Sequence, residues 1–308
     1  MYGLSLIADA RRAIPAILTN QVARFAPGWY LKLTHETGRG GGEESIADIA
    51  SYFEECFTEY FQVLEIEREK VSAWLEGKRV VEYGPGDVPA VGMLMLAHGA
   101  REVICVDRFA LVSLSARNVE VLRRMIERLP APARGRAEEC FRVRGAPDSG
   151  FREERLRYVV HPSGLSGLRD HADLLISRAA LEHVNDLSAT FADQHAVLRD
   201  DGIAVQKVDL RSHGLHRSNP LDFLTWPAWL WSMMYSGKGV PNRWRVDRYR
   251  RDLDEQGLDV QRLAPTTLAD PADVAAVRPH LAEPLRGISE EDLAWLGFWL
   301  VCRRARKR

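Results

Sequence analysis

Short apolar runs alternate with amphipathic stretches along the chain from about residue 77 onward. The apolar runs predict strands, and the stretches between them predict helices because their apolar residues recur three and four positions apart. A strand, helix, strand order implies right-handed crossovers and a parallel sheet, whose ligands bind at the carboxyl ends of the strands. The turns after Glu82, Asp107 and Ser177 would meet there. We predict strands at Arg79–Tyr83, Glu102–Asp107, Arg157–His161, Ala172–Ser177 and Gly202–Val208, and helices at Ala90–His98, Phe109–Arg128 and Asp186–Leu198.

The first 75 residues predict helices and show no strand alternation. Ser45 and Asp48 resemble a capping box, and apolar residues spaced from Ile46 to Phe61 give the following helix one apolar face. The glycine-rich stretch at 38–42 is too flexible for the interior of an element. It is either a plain linker or the hinge of a lid, and the pattern favours neither.

Residues 211–245 interrupt the alternation. The aromatic stretch Leu224–Tyr235 is too short to span a bilayer, so it packs on the core, roofs a pocket or touches a membrane surface. The pattern then resumes with a helix at Val246–Gln256, a strand at Leu258–Leu263, a short helix from Ser289 and a strand at Phe298–Cys302. We therefore predict a helical lid at 1–75, an α/β core at 76–210, a substrate-side insertion at 211–245 and the completion of the core at 246–308.

Composition excludes several classes of protein. Of the 308 residues, 46% are hydrophobic and 28% charged, which is ordinary for a globular protein, and the net charge of −1 would not recruit nucleic acid. The four cysteines lie far apart without a Cys-x-x-Cys pair, so we expect reduced core residues and a cytoplasmic location. No apolar run approaches the roughly 18 residues of a membrane span. Charged residues and Pro15 interrupt the N-terminus too early for a signal peptide.

The segment Arg79–Asp87 ends an apolar run in a glycine turn, and Asp107 ends the next apolar run. Glycines let the backbone approach a ligand closely, and an acidic side chain about 20 residues further on can accept the ribose hydroxyls of a nucleoside. A dinucleotide motif needs a third glycine where this chain has Pro89. Glu82 and Asp87 beside the turn suit a cationic ligand such as S-adenosylmethionine (SAM) better than a pyrophosphate. The segment favours SAM over NAD, and over a turn without a ligand.

Over residues 75–303 the chain resembles the class I SAM-dependent methyltransferases. The resemblance implies a Rossmann-like seven-stranded α/β sheet whose last strand is antiparallel. A weaker resemblance, from Asp209 to Arg245, is to bacterial methyltransferases that modify sugars, glycan precursors or secondary metabolites. The residues that carry the main resemblance are Val81–Gly86, Val106–Phe109, Asp173–Val184 and Leu198–Gly202.

The resemblance also implies roles for individual residues. Glu82 and the turn at 84–86 would hold the methionine moiety of SAM, Asp107 the ribose, and Ser177 with Ala179 the front of the pocket. After the third strand stands His161-Pro-Ser-Gly164 in place of the usual acidic and small pair, so the adenine contact stays open. The predicted cofactor-binding residues are Glu82, Gly84, Pro85, Gly86, Asp87, Asp107, Arg108, Ser177 and Ala179.

Methyl transfer to a poorly acidic hydroxyl needs a general base, and histidine suits neutral pH. His213 is the first candidate because it opens the inserted segment after the fifth strand, and His183 after the fourth strand is the second. His213-x-x-His216 lacks a second pair of ligands nearby, so we predict no structural metal site. The predicted substrate-binding residues are His35, His216, Arg243 and Arg245, and Arg211 and Arg217 lie beside the same aromatic stretch.

The sequence therefore predicts a SAM-dependent enzyme that methylates an oxygen or a nitrogen of a small molecule. An NAD-dependent oxidoreductase and a non-catalytic relative of the fold are the alternatives. No nucleic-acid partner and no transmembrane segment are expected, and a homodimer stays open.

Overall fold

The computed structural model describes residues 6–26, 28–30, 44–216, 218–238 and 241–305, and its centre is a seven-stranded sheet. The strand order is β3-β2-β1-β4-β5-β7-β6, and only β7 runs antiparallel to its neighbours β5 and β6. The predicted α/β fold is confirmed, including the antiparallel last strand. The strands are β1 (Arg79–Tyr83), β2 (Glu102–Asp107), β3 (Leu156–Val160), β4 (Ala172–Arg178), β5 (Leu198–Asp209), β6 (Leu258–Leu268) and β7 (Trp295–Arg304).

Helices cover both faces of the sheet and form a smaller cluster beside it. They are α1 (Leu6–Phe25), α2 (Ile46–Val63), α3 (Val71–Leu75), α4 (Ala90–Ala97), α5 (Ala116–Arg128), α6 (Ala131–Glu138), α7 (Leu187–Val197), α8 (Ala228–Tyr235), α9 (Val246–Glu255), α10 (Pro271–Val277) and α11 (Glu290–Ala294). On one face, α2, α4, α5 and α6 share a core with the strands, and α7 and α9 bury the opposite face. Every residue of α4 is buried, which fits its nearly all-apolar sequence.

The two long N-terminal helices pack in different places. The apolar face of α2, which includes Phe53, Phe57 and Phe61, lies in the core of the sheet, and Ser45 caps the helix as predicted. Helix α1 instead joins a third apolar cluster through Ala13, together with the inserted segment around Leu221–Met234 and the chain at 269–296. The predicted lid segment 1–75 is thus divided between two cores. The glycine-rich stretch at 38–42, His35 and Arg217 lie outside the described residues.

Several predicted boundaries differ from the structure: β6 and β7 are longer than predicted, and β3 is shifted by one residue. Two further differences have local reasons. Helix α5 begins at Ala116 rather than near Phe109, because the hydroxyl of Ser115 caps it by accepting from the N–H of Asn118 at 3.2 Å. The residues before it follow the glycine turn, and the N–H of Ser113 donates to the carbonyl of Asp87 at 3.1 Å. The turn predicted at 199–202 is instead an irregular part of β5, where the register with β4 shifts.

All four cysteines are free and buried, as predicted. Among the described residues, no helix has both the length and the apolarity to cross a bilayer.

Candidate functional site

A large cleft opens at the carboxyl edge of the parallel strands. Its volume is about 1100 Å³, and its lining comes from the ends of β1, β2, β4 and β5 and from the start of β7. Tyr30 closes part of it from the N-terminal side, with its ring 6.4 Å from that of Phe109. The residues that line the cleft include Gly84, Gly86, Asp107, Arg108, Arg178, Ala179, His183, Lys207, Asp209, Arg211, His213 and His216.

The glycine turn after β1 needs glycine for conformation and for space. Gly84 and Gly86 have φ values of 72° and 73°, in the left-handed region that favours glycine. A Cβ on Gly84 would lie 2.7 Å from the Cβ of Ala180, in the loop after β4. The turn therefore packs directly on the neighbouring loop and leaves bare backbone facing the cleft.

Asp107 presents one unsatisfied oxygen at the end of β2. Its Oδ1 accepts from the N–H groups of Arg108 and Phe109 at 2.7 and 3.3 Å, whereas its buried Oδ2 has no hydrogen-bond partner among the described residues. Burial raises the pKa of this carboxyl group to about 6, although those N–H groups oppose the shift. An orphaned carboxylate oxygen in the cleft fits the hydroxyl donors of a ribose.

Glu82 lies beneath the turn instead of in the open cleft. It borders a small pocket of about 40 Å³, which Pro85 and Ala179 also line and which Tyr60 of α2 helps to close. Its carboxyl group accepts from the thiol of Cys105 at a sulfur–oxygen distance of 3.6 Å. Burial raises the pKa of Glu82 to about 7, and bonds from Cys105 and the N–H of Gly92 oppose that rise.

Three other predicted cofactor residues mainly hold the protein itself. Asp87 is buried and accepts from the Nδ2 of Asn118 at 3.3 Å. The hydroxyl of Ser177 is buried and donates to the Oε1 of Gln206 at 2.9 Å. Arg108 lines the cleft, but its guanidinium donates to the Oδ1 of Asn185 at 2.9 Å and so ties two rims of the cleft together.

Both predicted catalytic histidines stand side by side on the cleft wall. The rings of His183 and His213 meet edge to face with centroids 5.1 Å apart. The Nε2 of His213 lies 3.7 Å from the Oδ2 of Asp209, at the end of β5. Burial opposes ionisation of Asp209, but hydrogen bonds from Arg211 and His213 outweigh it and hold the pKa of this carboxyl well below its usual range. His216 also lines the cleft, where its Nδ1 makes a short hydrogen bond with the hydroxyl of Ser212.

The structure places Arg243 and Arg245 away from the cleft lining. Arg245 is 1% exposed, and its guanidinium donates to the carbonyls of Leu210 and Trp295, so it joins β5 to β7. Arg243 donates to the carbonyl of Trp226, and its guanidinium lies 5.0 Å from the ring centroid of Trp231. The predicted substrate contact of Arg245 is therefore corrected to a structural role. The sequence pattern could not show this, because arginines beside aromatic residues occur both in substrate-binding sites and in buried structural positions.

Polar residues that the sequence pattern did not predict also border the cleft. Arg178 and Lys207, at the ends of β4 and β5, both form ion pairs with Glu59, which reaches over from α2. Glu182, next to His183, is completely buried. Burial opposes ionisation of Glu59, but its two cationic partners lower its pKa. The position of Arg178 and Lys207 at strand ends was the available signal for their place in the cleft.

Comparison with known proteins gives the family. A family model described as a methyltransferase domain matches residues 57–263, more than half of the chain. No curated protein matches the chain.

Several solved structures are similar to the chain at low sequence identity. One is a SAM-dependent methyltransferase from Mesorhizobium loti, 19% identical, with a TM-score of 0.41 over 75% of this chain and 92% of that chain. Another is the phosphoethanolamine N-methyltransferase 2 of Haemonchus contortus in complex with SAM, 12% identical, with a TM-score of 0.42 over 75% of this chain and 49% of that chain. From the extent of the family match, the chain belongs to the methyltransferase domain family and is a SAM-dependent methyltransferase.

Proposed function

We propose that the enzyme methylates a hydroxyl oxygen, or alternatively an amine nitrogen, of a small-molecule acceptor bound in the cleft. The acceptor would be a molecule such as a sugar, a glycan precursor or a secondary metabolite. The observation that carries the proposal is the contact of His213 with Asp209, beside His183, on the wall of the cleft that holds the glycine turn. The family match sets aside the NAD-dependent alternative.

The size of the cleft supports a small acceptor beside the cofactor. Pockets for a single drug-sized ligand are typically about 300–1,000 Å³, and this cleft is about 1100 Å³. It therefore has room for SAM and an acceptor of modest size. Its mixed lining, with aromatic, histidine and arginine side chains, suits a polar acceptor.

We assign the cofactor contacts by matching the chemistry of each residue at the glycine turn and at the end of β2 to a part of SAM. The Oδ2 of Asp107 would accept a ribose hydroxyl, and the backbone at Gly84 and Gly86 would lie against the methionine moiety. Glu82 and Pro85, beneath the turn, would contribute from the small pocket under α2. Arg108 and Ala179 would shape the rim, whereas Asp87 and Ser177 would position these elements from inside the protein.

SAM supplies an electrophilic methyl group on a sulfonium. When the acceptor oxygen forms its bond to the methyl carbon, the carbon–sulfur bond breaks with its electron pair going to sulfur, and the hydroxyl proton must leave. His213 is the proposed proton acceptor, because Asp209 lies near its Nε2 and would stabilise the imidazolium that results. The protein's remaining tasks are to orient the acceptor and to exclude water, since orientation alone can contribute several kcal/mol.

A comparison of three histidine variants tests the proposal. We expect His213→Ala to lower single-turnover methylation by about 10² or more with SAM affinity nearly unchanged, as the loss of a general base should. His216→Ala removes a histidine from the same cleft and should have a much smaller effect. The measurements are SAM binding by calorimetry and methylation of a panel of hydroxylated and amino acceptors across pH.

The outcomes separate the assignments. If His183→Ala is inactive while His213→Ala turns over normally, His183 is the base. If all three variants turn over normally, the acceptor needs only positioning and the proposed base is eliminated. Methylation of nitrogen acceptors alone would overturn transfer to oxygen.

A further inference from the structure

The side chains of Glu182, His183 and His213 meet at one wall of the cleft. One potential ligand atom from each residue lies within 4.8 Å of the others. Glu182 and His183 follow β4 and His213 follows β5, so two neighbouring parallel strands deliver them to the same edge of the sheet. The backbone of His213 has a φ of 49°, a conformation that non-glycine residues rarely adopt.

Glu182 is the unusual member of this cluster. Its side chain is completely buried, and neither carboxylate oxygen has a hydrogen-bond partner among the described residues. A buried carboxyl group without a partner is costly in folding free energy, and a bound cation would satisfy it.

We infer that Glu182, His183 and His213 bind a divalent first-row transition metal ion. Two imidazole nitrogens and one carboxylate oxygen suit ions such as Zn²⁺, Co²⁺ or Mn²⁺, whereas Mg²⁺ and Ca²⁺ prefer sets of oxygen ligands. Bonds of about 2.0–2.2 Å would draw the three ligand atoms together by about an ångström. The partly exposed ring of His213 can make that adjustment by rotation.

The ion would lie in the acceptor part of the cleft. There it would polarise an acceptor hydroxyl and lower its pKa, so that the hydroxyl would release its proton to solvent water. His213 would then not accept that proton, because a nitrogen that binds a metal cannot take one up. This catalytic role rests on the proposed transfer to oxygen. Binding of the ion does not depend on it.

Metal binding can be measured without any methyl acceptor. The full chain, treated with a chelator and then dialysed, is titrated with Zn²⁺ by calorimetry and with Co²⁺ by visible absorption, which reports the ligand geometry. We expect one ion per chain, and at least a tenfold loss of affinity in Glu182→Gln and in His213→Ala. His216→Ala removes a cleft histidine outside the cluster and should bind as the wild type does. Circular dichroism and SAM binding check that each variant is folded.

The inference is overturned if the wild type binds no ion, or if folded His213→Ala binds Zn²⁺ as tightly as the wild type. If His213→Ala loses turnover but the wild type binds no metal, His213 is supported as the general base and only the metal site is contradicted. If metal binding shows the expected variant effects but hydroxyl acceptors are not methylated, the metal site is supported and the proposed function is contradicted.

A separate apolar surface lies on α1, on the residues that follow it, and on α8. Phe25 and Trp29 are 76% and 70% exposed. Helix α8 packs against α1 and exposes two large apolar side chains one turn apart. We call the six exposed residues the apolar patch: Ile14, Leu18, Phe25, Trp29, Trp229 and Met233.

The two segments that carry the apolar patch contain only basic charged residues. Residues 11–30 and 223–238 contain no aspartate or glutamate. Arg11, Arg12 and Arg24 are exposed, and the guanidinium of Arg24 lies 5.4 Å from the ring centroid of Phe25. Cationic side chains beside exposed Trp, Phe and Leu are the composition of helices that lie in a membrane interface.

We propose that the apolar patch docks on an anionic lipid bilayer surface. The aromatic and aliphatic side chains would enter the headgroup region, and the three arginines would pair with lipid phosphates. The Nη1 of Arg12 donates to the carbonyl of His216 at 3.4 Å, so docking would bring a rim of the cleft close to the bilayer.

Vesicle sedimentation tests this surface with the full chain. We expect binding to vesicles that contain phosphatidylglycerol, weaker binding at high salt, and little binding to pure phosphatidylcholine. Leu18→Glu and Phe25→Glu should abolish binding, whereas Val143→Glu, at an exposed apolar residue on a different part of the chain, should not. Absence of binding to anionic vesicles overturns the proposal. So does a dimer in solution that the same two substitutions dissociate, because the apolar patch would then be covered by a second copy of the chain.

Discussion

Glu82 is a buried carboxyl group whose ionisation works against the fold. Burial raises its pKa from the usual 4.5 to about 7. The folded state therefore holds this proton more tightly than the unfolded state, so the stabilisation is complete below pH 4.5 and is lost as the pH rises to 7. Glu82→Gln cannot ionise. We expect its free energy of unfolding, relative to the wild type, to increase by about 3 kcal/mol between these two pH values in urea titrations.

Glu59 gives a control of opposite sign. Its pKa is lowered because Arg178 and Lys207 pair with it, so its stabilisation is present above the usual pKa and is lost on acidification. Glu59→Gln should therefore be less stable than the wild type at neutral pH and approach it in acid. If both variants shift in the same direction with pH, the assignment of Glu82 as the buried, protonated group is wrong.

Asp107 should carry much of the affinity for the ribose. Removing a charge-assisted hydrogen bond of roughly 1.5–3 kcal/mol predicts that Asp107→Ala weakens SAM binding about tenfold or more. Calorimetry with SAM and with S-adenosylhomocysteine measures this, and NAD serves as the ligand that should not bind. An unchanged affinity for SAM would mean that the ribose is held elsewhere.

Residues inside a local motif could be predicted, whereas residues assembled from separate loops could not. Gly84 and Asp107 end apolar runs, and that pattern is visible in the sequence because strand ends mark the ligand edge of a parallel sheet. The cluster of Glu182 with His213 depends on which strands are neighbours and on an uncommon backbone conformation, and no spacing along the chain encodes either. The burial of Arg245 depends on carbonyl groups of two other segments, so it could not be predicted from the sequence either.

At the scale of elements, the strands were predicted better than the connections. The bounds of β1 and β2 agree with the prediction because uninterrupted apolar runs flanked by turns leave little choice. Helix α5 was predicted too long, since the amphipathic pattern alone does not show that the chain from Phe109 to Ser115 must first cross the rim of the cleft. The pairing of β7 between β5 and β6 came from the resemblance and not from the pattern.

Gly77, just before β1, and Gly84, just after it, offer a matched pair of glycine substitutions. Gly77 and Gly84 both have a φ of 72°, but a Cβ on Gly77 would meet nothing within 4 Å, whereas one on Gly84 would lie 2.7 Å from the Cβ of Ala180. Gly77→Ala should therefore cost only the conformational strain of about 1–2 kcal/mol. Gly84→Ala adds a steric overlap in the turn after β1, so we expect a larger loss of stability and, if this turn holds SAM as proposed, a strong loss of SAM affinity.

Thermal unfolding and SAM calorimetry on the two glycine variants measure the difference. Equal stabilities, with SAM affinity retained in Gly84→Ala, would show that the loop at Ala180 yields easily and that the close approach of the two loops is not required.

At the scale of the whole molecule, the chain adds a third apolar cluster to the α/β sheet. The family match begins at residue 57, so α1 lies outside it. Helix α1 nevertheless packs with the inserted segment and with the chain at 269–296, and Tyr30 lines the cleft. Buried Asn20 makes this link specific: its Nδ2 donates to the carbonyl of Met233 at 2.9 Å and its Oδ1 accepts from the N–H of Gly237 at 2.7 Å.

Deletion of residues 1–42 tests whether this N-terminal part closes the cleft. The truncated chain keeps α2, whose apolar face belongs to the core of the sheet, and keeps the glycine turn and Asp107. We therefore expect SAM affinity to change little while single-turnover methylation is lost, because Tyr30 no longer covers the cleft and the inserted segment loses its support.

Asn20→Ala gives the same comparison without truncation. It removes three hydrogen bonds between α1 and the inserted segment, so we expect a lower melting temperature and reduced turnover, with SAM binding retained. Normal methylation by the truncated chain would show that the N-terminal residues only pack against the protein and do not close the cleft. If Asn20→Ala also turned over normally despite a lower melting temperature, α1 would stabilise the third cluster without contributing to closure of the cleft.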